Sequence, residues 1–174
     1  HRIEEPGRRL VVHDGDRLDV AGARRALDRL QVGPCRPLAR DDVVREPVRH
    51  DANNLSLARG GNYERIVVIS PDHFRRVEKA AAVATRDFLT VTGPVPTDRK
   101  ASLRLAAGPL ISVSNLASHE HGFRAILPFL AEWFPGVPVV TLAVGIRTTP
   151  EEWRGLADAL DPIVTQRTLV IQST

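Results

Sequence analysis

A single cysteine, Cys35, excludes an internal disulfide framework and any cluster of thiolate metal ligands. It lies in the loop-like stretch Val32-Gly33-Pro34-Cys35-Arg36-Pro37 and reads as an incidental thiol, not a nucleophile. Methionine is missing altogether, which points to a chain that is processed, tagged or short of some of its residues. Aromatic residues make up only 5%, too few to build base-stacking surfaces. Lysine is confined to Lys79 and Lys100, so the pI of about 9.7 reflects arginine. Net charge is only +3, and the arginines are interleaved with acids, as in Arg8 to Asp19 and Arg40 to Arg49. A phosphate-binding face needs its positive charge concentrated on one surface, so no nucleic-acid partner is expected. No apolar run approaches the roughly 20 residues that span a bilayer, and no basic-then-apolar leader opens the chain. The expectation is a cytoplasmic protein with no membrane partner, an exported mature form being left open. No Gly-rich phosphate loop or serine nucleophile elbow is present, and Gly60-Gly61 reads as a turn.

What is present is an ordinary globular composition, 43% hydrophobic and 26% charged over 174 residues, enough for one domain with a sizeable core. Residues 1–47 read as a variable lead-in with one helix, Val20–Leu30, stopped by Gly33-Pro34. Ile66-Val67-Val68-Ile69 is a β-branched run without polar alternation, as expected of a strand buried on both faces of a parallel sheet. Ala80–Thr92 reads as one or two strands around Asp87, and Leu110–Val113 as another short strand. Thr97-Asp98 is a cap for a helix over Arg99–Ala107. His121–Phe134 is an amphipathic helix, with Pro128 predicting an irregularity or kink. Val137–Val144 is a second buried strand. Pro150–Leu160 is a helix with proline at its start and acids in its first turn, and Thr168–Ile171 is a third strand. The alternation predicts an α/β fold with a mostly parallel central sheet flanked by helices, the three buried strands being parallel neighbours or near-neighbours.

Histidine is the informative residue. His1 and His13 lie in the lead-in and read as tag or surface positions. His73 follows directly on a buried strand, where open parallel sheets place ligand sites. Ser118-His119-Glu120-His121-Gly122 is a dense titratable cluster before a helix. A helix start disfavours a protonated imidazole, which suits general acid/base work, while a solvated helix cap explains the same residues equally well. The spacing does not fit the zinc helix with histidines four residues apart. His50, in Pro47-Val48-Arg49-His50-Asp51, has no signal of its own.

In order, Ile66–Phe74 (IVVISPDHF), Thr92–Asp98 (TGPVPTD), His119–Leu130 (HEHGFRAILPFL) and Val137–Gly145 (VPVVTLAVG) resemble the motifs of the Memo family. That family includes the bacterial proteins called AmmeMemoRadiSam system protein B. The likeness covers 48–174 of a single Memo-like domain spanning 1–174, and its most specific part is Glu-His-Gly through Leu-Pro-Phe. The resemblance implies a class III extradiol dioxygenase-like fold and a non-haem divalent metal site. By motif, His50 and His73 correspond to metal ligands, and His121 with Glu120 to the family's active-site histidine segment, acting either as a catalytic acid/base or as a group that supports the ligands from outside. His119 has no fixed counterpart. Two neutral imidazoles suit Fe, Cu or Zn without choosing among them. The resemblance also implies a functional link to AMMECR-type and radical SAM proteins, beside an unknown small-molecule or protein partner. It implies a continuation past Thr174, through an Asp-x-Ser-His segment to a Cys or Glu that completes the metal site. The present chain is therefore expected to hold metal weakly and an extended one to hold it well.

Arg49 stands where the family usually has proline, the interval from His50 to His73 is shorter than usual, and Arg124 replaces a frequent glutamate. Three readings stay open: a metal-dependent redox or oxygenase-like enzyme, a non-catalytic binding or scaffold member with a degenerate site, and a zinc hydrolase using Glu120 to activate water. Under the first, His73 and His121 are expected to approach each other in one cleft at the carboxyl end of the sheet.

Overall fold

The computed structural model describes residues 55–173 together with two short strands, β1 (Leu10–Val11) and β2 (Arg17–Leu18). The expected helix Val20–Leu30, Cys35 and the candidate ligand His50 lie outside the described residues.

The β-branched run becomes β3 (Arg65–Pro71), whose Ile66, Val67 and Val68 are wholly buried. It is flanked in parallel by β8 (Val139–Val144) on one side and β9 (Thr168–Gln172) on the other. A strand covered on both faces must be apolar at every position, which is why it shows no alternation. The three strands expected to be parallel neighbours are so. Beyond β8 lie β4 (Ala81–Val83) and β7 (Ile111–Val113), giving the order β2-β1-β9-β3-β8-β4-β7. β4 runs antiparallel to β8, and β7 runs parallel to β4. The reversal has a local cause. The connection 72–80 holds no helix, and a chain that returns to start a parallel strand needs a crossover of about a dozen residues or more. A separate hairpin, β5 (Phe88–Thr90) and β6 (Gly93–Val95), completes the strands.

Helices cover both faces. α1 (Arg99–Ala106) and α3 (Pro150–Leu160) bury Ala101, Leu105, Trp153 and Leu156 against Val67, Ile69, Val140 and Leu142. α2 (His121–Trp133) buries Phe123, Ile126, Leu127 and Leu130 against Ile66, Val68, Leu169 and Ile171. Successive residues of β3 thus feed opposite clusters, as the two-residue period of a strand requires. α2 runs unbroken through Pro128, whose carbonyl accepts a hydrogen bond from the Thr92 hydroxyl at 2.5 Å. α3 begins at its predicted proline, and Thr149 and Glu152 form a reciprocal capping box. Among the described residues no helix is long and apolar enough to cross a membrane.

Asp98 ties the layers together. Its carboxylate caps α1 by accepting the Ala101 N–H at 2.9 Å and also accepts from Arg65 Nε at 2.7 Å. The same guanidinium donates to the Ile163 carbonyl at 2.8 Å. Burial by itself would raise the Asp98 pKa, but the Ala101 N–H and the Arg65 guanidinium outweigh it and hold the carboxyl below its ordinary range. Such a group adds stability that is present above its unfolded pKa and lost as pH falls through the folded one. Asp98→Ala should therefore cost about 1–2 kcal/mol near neutral pH, with the deficit closing in acid below the ordinary carboxylate range. Urea unfolding of both proteins across pH checks this, and a deficit that persists undiminished in acid would refute it.

Candidate functional site

The carboxyl ends of β3, β8 and β9 lie side by side, with Pro71 opposite Val144 and Ile69 opposite Gln172. The connection 72–80, the turn after β8 and the start of α2 gather beyond them.

Asp72 shapes the first of these. It is 1% exposed, and its N–H donates to the Val144 carbonyl at 2.7 Å. Its carboxylate accepts from the N–H groups of Phe74 at 3.1 Å, Val77 at 2.7 Å, and Arg76. A short acidic side chain folding back on the next N–H groups is a turn-building device, and here it fixes the backbone that carries His73.

Gly122 positions α2. A Cβ on this residue would stand 2.2 Å from Ser70 Oγ, 2.9 Å from Ser70 Cβ and 3.0 Å from Ser173 Oγ. Only glycine lets the helix start settle on these buried serines at the ends of β3 and β9. The Glu-His-Gly motif thus acquires a steric reason for its last residue.

The close approach carries Glu120 into the interior, where it is wholly buried. It occupies the N-cap position of α2, yet its side chain makes no capping bond. Instead both oxygens grip residue 73: Oε2 accepts the His73 N–H at 3.0 Å, and Oε1 meets His73 Nδ1. The solvated-cap alternative therefore does not describe Glu120. His121, the first residue of α2, is exposed, and its ring centroid lies 6.1 Å from that of His73. Phe74, 40% exposed, has its ring 5.0 Å from that of His121, and the Arg76 guanidinium lies 5.5 Å from the Phe74 ring centroid.

The structure thus brings His73, Glu120 and His121 together from segments far apart in sequence. His119 belongs elsewhere, lining a cavity of about 330 Å³ with Asp87, Asn115 and Ser118. Sequence reasoning coupled Glu120 to His121, whereas the structure couples it to His73. Nothing in the local pattern could reveal that, because the pairing is made by the fold. Asp72 and Phe74 were not singled out either. An Asp directly after Pro at a strand end was the available signal for the first, and a Phe beside a candidate His for the second.

A carboxylate on Nδ1 fixes both the orientation and the tautomer of an imidazole, leaving the Nε2 lone pair as a ligand or proton acceptor. The His73 side chain is 38% exposed, so the ring is open to solvent. This is the usual outer partner of a metal-binding histidine, and His73 fits that role. Among the described residues no group of three or more His, Cys, Asp or Glu side chains is arranged to hold a metal. The second implied ligand, His50, lies outside them.

A family model for Memo-like proteins matches residues 50–174, a span that contains every residue of this constellation. No curated protein matches the chain.

Gly122→Ala should destabilise the fold by about 1–3 kcal/mol, the range for forcing extra atoms into a packed contact. Adding Ser70→Gly, which removes the two nearest colliding atoms, should recover part of the loss. Thermal melts of the single and double variants check this, and an unaltered melting temperature in Gly122→Ala would contradict the close approach.

Proposed function

The chain belongs to the Memo-like protein family, and from that membership we propose that it is a metal-site protein with redox or oxygenase-like chemistry. His73 ligates through Nε2, and His121 transfers protons. The observation that carries this reading is the double grip of buried Glu120 on His73. A rigid, carboxylate-backed imidazole at the carboxyl end of a parallel sheet is what a divalent metal ligand requires. His50, the second ligand by family resemblance, joins it in this reading. Bound iron, copper or zinc supplies Lewis acidity, and the first two also electron transfer.

The chain's own residues supply orientation and proton handling. Glu120 holds the His73 ring and its proton on Nδ1. The exposed His121 ring, close to His73 and flanked by Phe74, is free to exchange a proton at the site. This division differs from a zinc hydrolase in which Glu120 activates water. Both Glu120 oxygens face residue 73 and the side chain has no contact with solvent, so water activation is poorly served.

Calorimetric titration of iron(II), copper(II) and zinc into the natural full-length protein, purified without a histidine tag, tests the proposal. Wild type is expected to take up one metal stoichiometrically. His73→Asn, whose amide can still donate to Glu120, should abolish uptake without unfolding the protein. Glu120→Gln sets an amide donor against a His73 donor and should weaken binding about 10- to 100-fold. His121→Ala should leave binding intact and lower turnover. Equal loss in the His73 and His121 variants would make His121 a ligand, and no binding by any form would leave a scaffold role.

A further inference from the structure

The connection 72–80 reaches both layers of the molecule. His73 meets Glu120 on the α2 side, whereas on the α3 side the same connection and the turn 145–148 border a cleft of about 460 Å³. The cleft lies beyond the carboxyl ends of β3 and β8, where open sheets of this kind take their ligands, and its volume suits a small molecule. Three cations, Arg75, Lys79 and Arg147, and three acids, Asp72, Glu78 and Glu152, line it.

Two of the three acids are engaged, while the exposed Glu78 has no hydrogen-bond or ion-pair partner among the described residues. Asp72 is held by three backbone N–H groups, and Glu152 accepts the Thr149 N–H at 2.7 Å. Lys79 donates to the Ile111 carbonyl at 3.3 Å. Arg75 and Arg147 pair with no carboxylate among the described residues. Arg75 is also the sole described non-glycine residue at positive φ, 55°. It is kept there by its N–H to the Asp72 carbonyl at 3.3 Å and by the Asp72 bonds on either side. Glycine or asparagine would occupy that conformation with less strain, so the backbone alone gives no reason for arginine. Its side chain lines the cleft, and an uncommon backbone conformation at a cleft is a starting point for a functional reading.

We propose that this cleft is an oxyanion-recognition site, in which Arg75 and Arg147 hold the carboxylate or phosphate group of a small-molecule ligand. Planar guanidinium forks match both groups in geometry and charge. The site lies on the α3 side of the strand ends, its lining does not include Glu120, and it does not require a metal.

The test is calorimetric titration of metal-free protein with inorganic phosphate and with malonate, at constant ionic strength set by chloride. Wild type should bind at least one of them saturably, one to one, and the tighter of the two identifies the ligand's acidic group. Arg75→Gly and Arg147→Gln should each weaken that binding by about tenfold or more, the scale of one lost charge-assisted pair. Arg75→Gly should also melt at the same or a higher temperature, because glycine relieves the positive φ; loss of binding then cannot be blamed on unfolding. His73→Asn should bind the anion as wild type does, which separates this proposal from the metal reading. Absence of saturable binding of both anions, unchanged affinity in both arginine variants, or loss of anion binding in His73→Asn would each overturn it.

Discussion

The buried carboxylate of Glu120 is the constraint around which the site is organised. A carboxylate withdrawn from water must be met by donors, because an unpaired one costs several kcal/mol. Glu120 finds its donors on one residue, the N–H and the ring of His73. Since Glu120 is the N-cap of α2 and His73 follows β3, satisfying the carboxylate fastens helix to strand end. The arrangement works only if the helix start can descend onto Ser70 and Ser173, and that is what Gly122 allows. The steric requirement at residue 122 and the electrostatic one at residue 120 are therefore two parts of one contact.

A second buried carboxylate, Asp72, performs the complementary task within the loop. Glu120 reaches across the chain, whereas Asp72 binds the N–H groups of its own successors. Together they leave residues 72–77 little freedom, fixing His73 from outside and the backbone around Arg75 from within. Both carboxylates are almost wholly buried and both accept backbone N–H bonds, so each acts first as architecture.

Fold and site were legible in the sequence to different degrees, for physical reasons. The unalternating run at Ile66–Ile69, the proline and acids that open Pro150–Leu160 and the Asp98 cap each report a local requirement, so their elements could be placed to within a residue or two. Strand direction was less accessible. β4 runs opposite to β8 because of how the chain returns, which no run of side chains encodes. Pro128 predicted an irregular helix, yet α2 continues through it, its apolar face packed on the sheet and the Pro128 carbonyl bonded by Thr92. At the site, His73 and His121 were visible as chemically capable residues in favourable places. That Glu120 turns away from its neighbour His121 toward His73 was not, since a side chain's partner is chosen by tertiary approach. Arg75 was hidden for the same reason: one arginine among many in the sequence is distinguished only by its φ.

The reversal of β4 bears directly on where chemistry can occur. Had the chain crossed over after β3 to begin another parallel strand, that strand would start at the far end of the sheet and the connection would leave the strand ends. Because β4 instead runs back from the same end, its first residues stay beside the last of β8, with the Gly145 N–H donating to the Ala80 carbonyl at 2.9 Å. The Thr148 hydroxyl bonds that carbonyl too, at 2.9 Å. Lys79 and Arg147 are thereby brought to one rim, and residues 72–80 are retained at the carboxyl end throughout. A helix-free connection is thus what gathers the Asp72 turn, the His73 ring and the arginine-lined cleft at one end of the sheet.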